Sequence, residues 1–170
     1  GQSGLKSVDR ATGATSAIDL LAGEPITYSF HKAEDVIVDN ENNLLYAPIF
    51  YSPGNISYGL LEWNLSTNAK RWITTTSTPV SLPSVYNGGD GAYWNGHRLY
   101  MDEVSNTLYY SMGNGVWWWN RNNNSTGVYN TAGGIPLAPG NPNLPSNLTT
   151  SMYIDHDQNK FYIGTHSGLF

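Results

Sequence analysis

The stretch Asp155-His156-Asp157-Gln158-Asn159-Lys160-Phe161-Tyr162 decides the reading of this chain, because its pattern occurs three times. Asp102 leads through Asn106, Thr107 and Leu108 to Tyr109, and Asp39 leads through Asn43, Leu44 and Leu45 to Tyr46. In every copy Asn stands four residues after Asp, and Tyr stands seven after it. Asp and Asn bond their own backbone and tolerate left-handed conformations, so the Asp-to-Asn segment reads as a turn. An apolar run precedes each turn (Val36-Ile37-Val38, Leu99-Tyr100-Met101, Met152-Tyr153-Ile154) and a β-rich run follows it (44–49, 107–111, 160–165).

A second element lies downstream: Gly, an apolar residue, then Asp or Asn. It reads Gly4-Leu5 to Asp9, Gly59-Leu60 to Asn64 and Gly115-Val116 to Asn120, and begins again at Gly168-Leu169, with glycine spacings of 55, 56 and 53 residues. Arg10 and Arg121 follow the Asp or Asn in two copies, and a polar turn follows in all three: Ala11-Thr12-Gly13, Ser66-Thr67-Asn68 and Asn122-Asn123-Asn124. Gly59 and Gly115 are expected in tight turns at positive φ. A fourth short run closes each repeat: 17–20, 71–74 and 127–129. From Tyr46 to Gly59 is 13 residues, against six in the other copies, so an insertion sits in 47–58 and is expected to form a loop.

Four short strands per repeat and no helical periodicity admit a barrel, a sandwich or a propeller. Recurrence of the four-stranded unit at this period favours the propeller. The expected architecture is an open, all-β propeller fragment of about three four-stranded blades. It forms one array over 1–170, with repeats at approximately 1–34 and 146–170 (partial blades) and 35–90 and 91–145. Both ends fall at the same point of the repeat, which predicts a segment of a longer array. Its partners are then the rest of the propeller or identical subunits.

Composition narrows the function classes. Charged residues make up 12% of the 170, the net charge is −5 and the pI is about 5.1. No basic face is available for phosphates, which argues against nucleic acid. Aromatics at 13% supply a real core. The chain has no cysteine, hence no disulfide or thiolate metal site. No apolar run reaches the length of a membrane span, so this segment is not expected to insert into a membrane.

The stretch from Leu144-Pro145-Ser146-Asn147 through Tyr153-Ile154-Asp155, on through Asn159 and Tyr162-Ile163-Gly164-Thr165 to Gly168-Leu169, resembles the two-component regulator propeller repeat. Gly1-Gln2-Ser3-Gly4-Leu5 with Asp9-Arg10-Ala11-Thr12-Gly13 is similar to the continuation of that repeat. Tyr162 occupies the family's Trp place, and the middle copies lack its Ile-Gly-Thr element. The resemblance implies an extracytoplasmic sensor portion of a membrane signalling protein, or a secreted or cell-surface protein.

Candidate sites are few. Asp155, Asp157 and Asn159 have the Asp-x-Asp-x-Asn opening of a calcium loop but lack its central Gly and distal Glu; a hairpin turn is the simpler reading. In Trp117-Trp118-Trp119 two rings should face one way and one the other, packing between blades, with Trp118 a candidate for stacking on a sugar or aromatic ligand. Tyr93, Trp94, His97 and Arg98 surround an Asn95-Gly96 hairpin signal and are further ligand-binding candidates. The Pro-rich segment 133–146 reads equally as a stiff binding loop or a plain connection. Asn55, Asn64, Asn123, Asn124 and Asn147 head glycosylation sequons, a number little above what this composition produces by chance. No nucleophile or phosphate-binding motif is present, so the chain is read as non-catalytic and without cofactor. The leading expectation is an extracytoplasmic binding or scaffold module for a carbohydrate or small molecule. The alternatives are a structural surface or filament protein and, last, a propeller enzyme.

Overall fold

The computed structural model describes residues 5–18, 31–33, 35–51, 56–83, 98–112, 115–129, 149–165 and 167–169. Among them there are only strands and turns. The strands are β1 (Leu5–Val8), β2 (Thr15–Ile18), β3 (His31–Ala33), β4 (Ile37–Asp39), β5 (Leu44–Tyr51), β6 (Ile56–Asn64) and β7 (Lys70–Ile73), followed by β8 (Leu99–Asp102), β9 (Thr107–Met112), β10 (Gly115–Asn120), β11 (Ser125–Tyr129), β12 (Thr149–Asp155), β13 (Lys160–Thr165) and β14 (Gly168–Leu169). They form four antiparallel sheets in chain order. The third is a complete meander, β8-β9-β10-β11. The second repeats it with β5-β6-β7, its first strand divided into β3 and β4, which both pair with β5. The first sheet is β1-β2 and the fourth is β12-β13-β14.

Asp39, Asp102 and Asp155 each end the first strand of a sheet and pair across the turn with Leu44, Thr107 and Lys160. The turn closes because the fourth residue on adopts φ of 54° at Asn43, 52° at Asn106 and 51° at Asn159. That region costs most L-residues about 1–2 kcal/mol, and Asn visits it readily. The second polar turn uses the same device, at Gly13, Asn68 and Asn124, with φ of 72°, 61° and 60°.

Strand alternation then builds the core. Leu60 and Leu61 are adjacent and both fully buried, because they face opposite neighbours. Leu61 joins Leu45, Ala47 and Ile49 against Leu5 and Ile18 of the first sheet. Leu60 joins Tyr46 and Ile73 against Leu108, Trp117 and Trp119 of the third. Val116 and Tyr129 meet Ile163 and Phe161 of the fourth. Each interior sheet thus buries both faces against its neighbours, the packing of propeller blades. Burying one large apolar side chain contributes about 1.5–3 kcal/mol.

Two expectations are corrected. The insertion does not form a loop over 47–58: it lengthens β5 and β6 on either side of residues 52–55, and β3 pairs with the extension at Ile49. A long hairpin satisfies backbone groups that a loop would leave to water. Gly59 therefore lies within a strand, beside a bulge where the register shifts between Ile49 and Phe50. Its φ is +126°, and a Cβ there would stand 2.4 Å from the Ile73 carbonyl oxygen. Gly115 and Gly168 hold φ of 119° and 120° at the starts of β10 and β14, as the repeat predicts.

Candidate functional site

The turns after the first and third strands of the second and third sheets lie together on one rim. Leu65 N–H donates to the Asn43 carbonyl and Arg121 N–H to that of Asn106, at 2.8 and 3.0 Å. Within it, as in the turn after β1, the Asp and Asn side chains bond their own turns. Asp9 Oδ1 accepts from the N–H groups of Ala11 and Thr12, and Asn64 Oδ1 from those of Ser66 and Thr67. Those bonds hold the Asp9 carboxyl below its usual range, led by the Thr12 N–H. Trp63 and Trp119 each donate the indole N–H to the left-handed Asn five residues on, at 3.0 Å to Asn68 and 3.2 Å to Asn124.

The rim also carries links between sheets. Arg121, from the turn after β10, pairs with Asp39 of the preceding sheet, and both side chains are buried. Its guanidinium lies 5.5 Å from the Tyr46 ring centroid and 6.0 Å from that of Trp119. Arg71 approaches Trp119 at 5.3 Å and pairs with Glu62 at 2.9 Å, while Tyr46 Oη donates to Glu62 at 3.0 Å. Burial alone would raise the Asp39 carboxyl, but the bonds from Asn42 and Arg121 outweigh it and hold it below the usual range. Burial pushes the Tyr46 hydroxyl well up, with Glu62 adding to it, and lifts Tyr109 to about 12.

At the next interface His156 Nε2 contacts Asp102 Oδ1 at 2.9 Å, and Ser105 Oγ donates to Asp102 Oδ2. Ser, Asp and His thus converge, in an order that does not serve acyl transfer. A catalytic His must stand between Ser and Asp to take the hydroxyl proton. Here the carboxylate stands between them, and the cluster ties turns together.

The candidates read from the sequence are dispersed. Asp155 Oδ1 accepts from the Gln158 N–H at 3.0 Å, and Asn159 makes the left-handed turn residue. Among the described residues no three His, Cys, Asp or Glu converge as a metal site would require. Trp117 and Trp119 face the second sheet and Trp118 the fourth. A Cβ on Gly127 would stand 2.6 Å from the Trp118 ring, so that ring is seated on the neighbouring strand. Arg98 is exposed just before β8, its backbone fixed by Ser111: Arg98 N–H donates to Ser111 Oγ at 2.8 Å, and Ser111 N–H to the Arg98 carbonyl at 2.9 Å. It lies at the end opposite the rim. Tyr93, Trp94, His97 and segment 133–146 lie outside the described residues, as do Asn55 and Asn147. Asn64 and Asn124 spend their side-chain oxygens inside turns, and Asn123 accepts from Ser125. The roles of Arg121 and His156 were not anticipated. The recurring Arg after the Asp or Asn of the second element was the available signal for Arg121.

No family model matches the sequence, and no curated protein matches it. Solved structures do. Two structures of the extracellular domain of BT4673 from B. thetaiotaomicron superpose with TM-scores of 0.63, at 15% and 14% identity. One is assigned to a one component system and the other to a hybrid two component system. Both cover 98% of this chain and 18% of their own. The extracellular domain of BT3049, assigned to a hybrid two component system of the same organism, gives 0.50 at 14% identity over 99% of this chain and 23% of its own. The fold is an open β-propeller fragment. These likenesses support the repeat-family resemblance at the level of fold. The chain spans about a fifth of the length of these neighbours. Among the described residues no helix is long and apolar enough to cross a membrane.

Proposed function

We propose that the chain is part of an extracytoplasmic β-propeller that binds a ligand without transforming it and passes its occupancy to a signalling partner. One observation carries this reading: almost the whole chain superposes on extracellular domains assigned to one- and two-component systems. The structure adds an asymmetry that supports it. The Asp and Asn side chains of the rim turns are largely engaged by their own turns, whereas the opposite end presents Arg98 and the lengthened β5–β6 hairpin. A guanidinium there suits a carboxylate or a polyhydroxylated sugar. The reading is non-catalytic because the Ser105–Asp102–His156 cluster has the wrong order for nucleophilic chemistry.

The test is thermal unfolding of the intact protein with a panel of neutral and acidic oligosaccharides, followed by chromatography of the recovered sugar. A ligand that binds the folded state raises the melting temperature by mass action. A shift with one sugar class, weakened in Arg98→Ala, and recovery of that sugar unchanged are expected. Recovery of cleaved sugar would overturn the non-catalytic reading. No shift across the panel, with self-assembly into filaments, would replace sensing by a structural surface role.

A further inference from the structure

Asp35 and Arg98 hold the same repeat position, four residues before Asp39 and Asp102, at the end of the first strand that lies opposite the rim. Arg98 is exposed, and its guanidinium bonds no other described residue. Its backbone is tied on two sides. Within the third sheet, Arg98 N–H donates to Oγ of the fully buried Ser111, and the Arg98 carbonyl accepts from Ser111 N–H. The peptide that carries this carbonyl also carries the Leu99 N–H. That N–H points away from β9, and β8 is the edge strand of its sheet. Its acceptor comes from the second sheet: Asp35 Oδ2, at 2.8 Å, from a residue 64 positions earlier. Asp35 Oδ1 accepts the Val36 N–H at 2.9 Å. Both poles of the 98–99 peptide are thus fixed, the carbonyl by its own sheet and the N–H by the sheet before. A carboxylate makes the stronger kind of acceptor for such a bond. Asp35 spends both oxygens on backbone N–H groups, so it leaves the guanidinium of Arg98 to an outside group.

We propose that Asp35 is a positioning residue for Arg98: it fixes the peptide from which the guanidinium projects and so sets where that cation meets a ligand. The inference rests on the reading of Arg98 as a ligand contact. Asp35 touches no ligand itself. It acts by pre-organisation, since a group already held in its bound place loses less freedom on binding. Because Asp35 leads into β4, the same bond fastens the ligand-binding end of the third sheet to the second.

Two measurements on the intact protein test it, one of them without ligand. Amide hydrogen exchange reports the bond directly: Asp35→Ala should speed exchange at Leu99 several-fold, and Asp35→Asn, whose amide oxygen still accepts, should speed it less. Calorimetric titration with the sugar that raises the melting temperature reports the role. Affinity should fall several-fold in Asp35→Ala, recover in part in Asp35→Asn, and show no further fall when Asp35→Ala is added to Arg98→Ala. Unchanged exchange at Leu99 would overturn the proposal, because no bond would then be holding the peptide. Faster exchange with unchanged affinity would reduce Asp35 to a tie between sheets and overturn it too. An equal fall in affinity with and without Arg98 would overturn it by making Asp35 act on the ligand independently. If the unaltered protein binds no sugar while Asp35→Ala still speeds exchange at Leu99, the sensing reading fails first and the positioning role falls with it, leaving only the bond.

Discussion

The second and third sheets meet through Arg121 and Asp39; the third and fourth meet through His156 and Asp102. The acceptor occupies the same repeat position in both interfaces, but the donor does not. Arg121 comes from the turn after β10 and is buried between Tyr46 and Trp119. His156 comes from the turn after β12, and its side chain is 43% exposed. Equivalent acceptors are thus met by different side chains from different turns. What the repeat conserves is a buried carboxylate that needs a partner, since an unpaired buried charge is costly.

The sharpest way to break this comparison is to remove the buried cation. Arg121→Ala leaves Asp39 under the third sheet without its charge and is expected to cost about 3–5 kcal/mol in denaturant unfolding. A loss no larger than that of an exposed pair would mean water reaches Asp39. Acid should weaken the same interface. The Asp39 carboxyl is held below its usual range when folded, so its contribution is complete above the unfolded value of about 3.9 and is lost as pH falls through the lower folded value. Asp39→Asn should flatten that acid limb of the stability curve.

Gly59 and Gly168 extend the comparison to the second and fourth sheets. Their φ values are close, but a Cβ meets the Ile73 carbonyl oxygen at Gly59 and nothing within 4 Å at Gly168. Ala at Gly168 should cost the backbone strain alone, about 1–3 kcal/mol. Ala at Gly59 should exceed it by about 1–3 kcal/mol of overpacking. Equal losses in unfolding measurements would show that β7 moves aside.

These positions also mark how far the sequence is legible. The two turns, the glycine positions and the split of Trp117, Trp118 and Trp119 between faces follow from short-range chemistry, because each depends on a few neighbouring residues. The insertion misled, since insertions in repeats commonly form loops and 47–58 holds Pro48, Pro53, Gly54 and Asn55, yet the extended β5 gained a strand partner in β3, which has no repeat signature. The links at Asp39 and Asp102 join residues 82 and 54 positions apart. No local pattern encodes such a distance. Of the ligand-binding candidates, Arg98 is placed at the end opposite the rim and Trp118 within a blade interface.

Smaller effects sharpen the picture of the rim. Asn124→Ala should cost about 1–2 kcal/mol by forcing Ala into the left-handed region. Asn124→Gly keeps the backbone and removes the bond to Trp119, so the difference between the two variants isolates the conformational part. The smallest effect is expected at His156→Gln, about 0–1 kcal/mol at neutral pH, because the side chain is partly in solvent. A loss as large as that of Arg121→Ala would erase the distinction between the two interfaces.

The link from Arg121 to Asp39 bears on how such an array can be inherited. Duplication makes blades of one pattern, and pattern alone would let them be cut out and rejoined in any order. A blade whose turn carries the guanidinium required by the blade before it no longer fits behind any other. Placed after the third sheet in place of the fourth, a copy of that blade would bring Arg121 toward Asp102 and would lack His156, which the fourth sheet supplies. Succession is therefore written into the rim, one charge at a time, and recombination that ignores it would assemble a chain with the right period and the wrong neighbours.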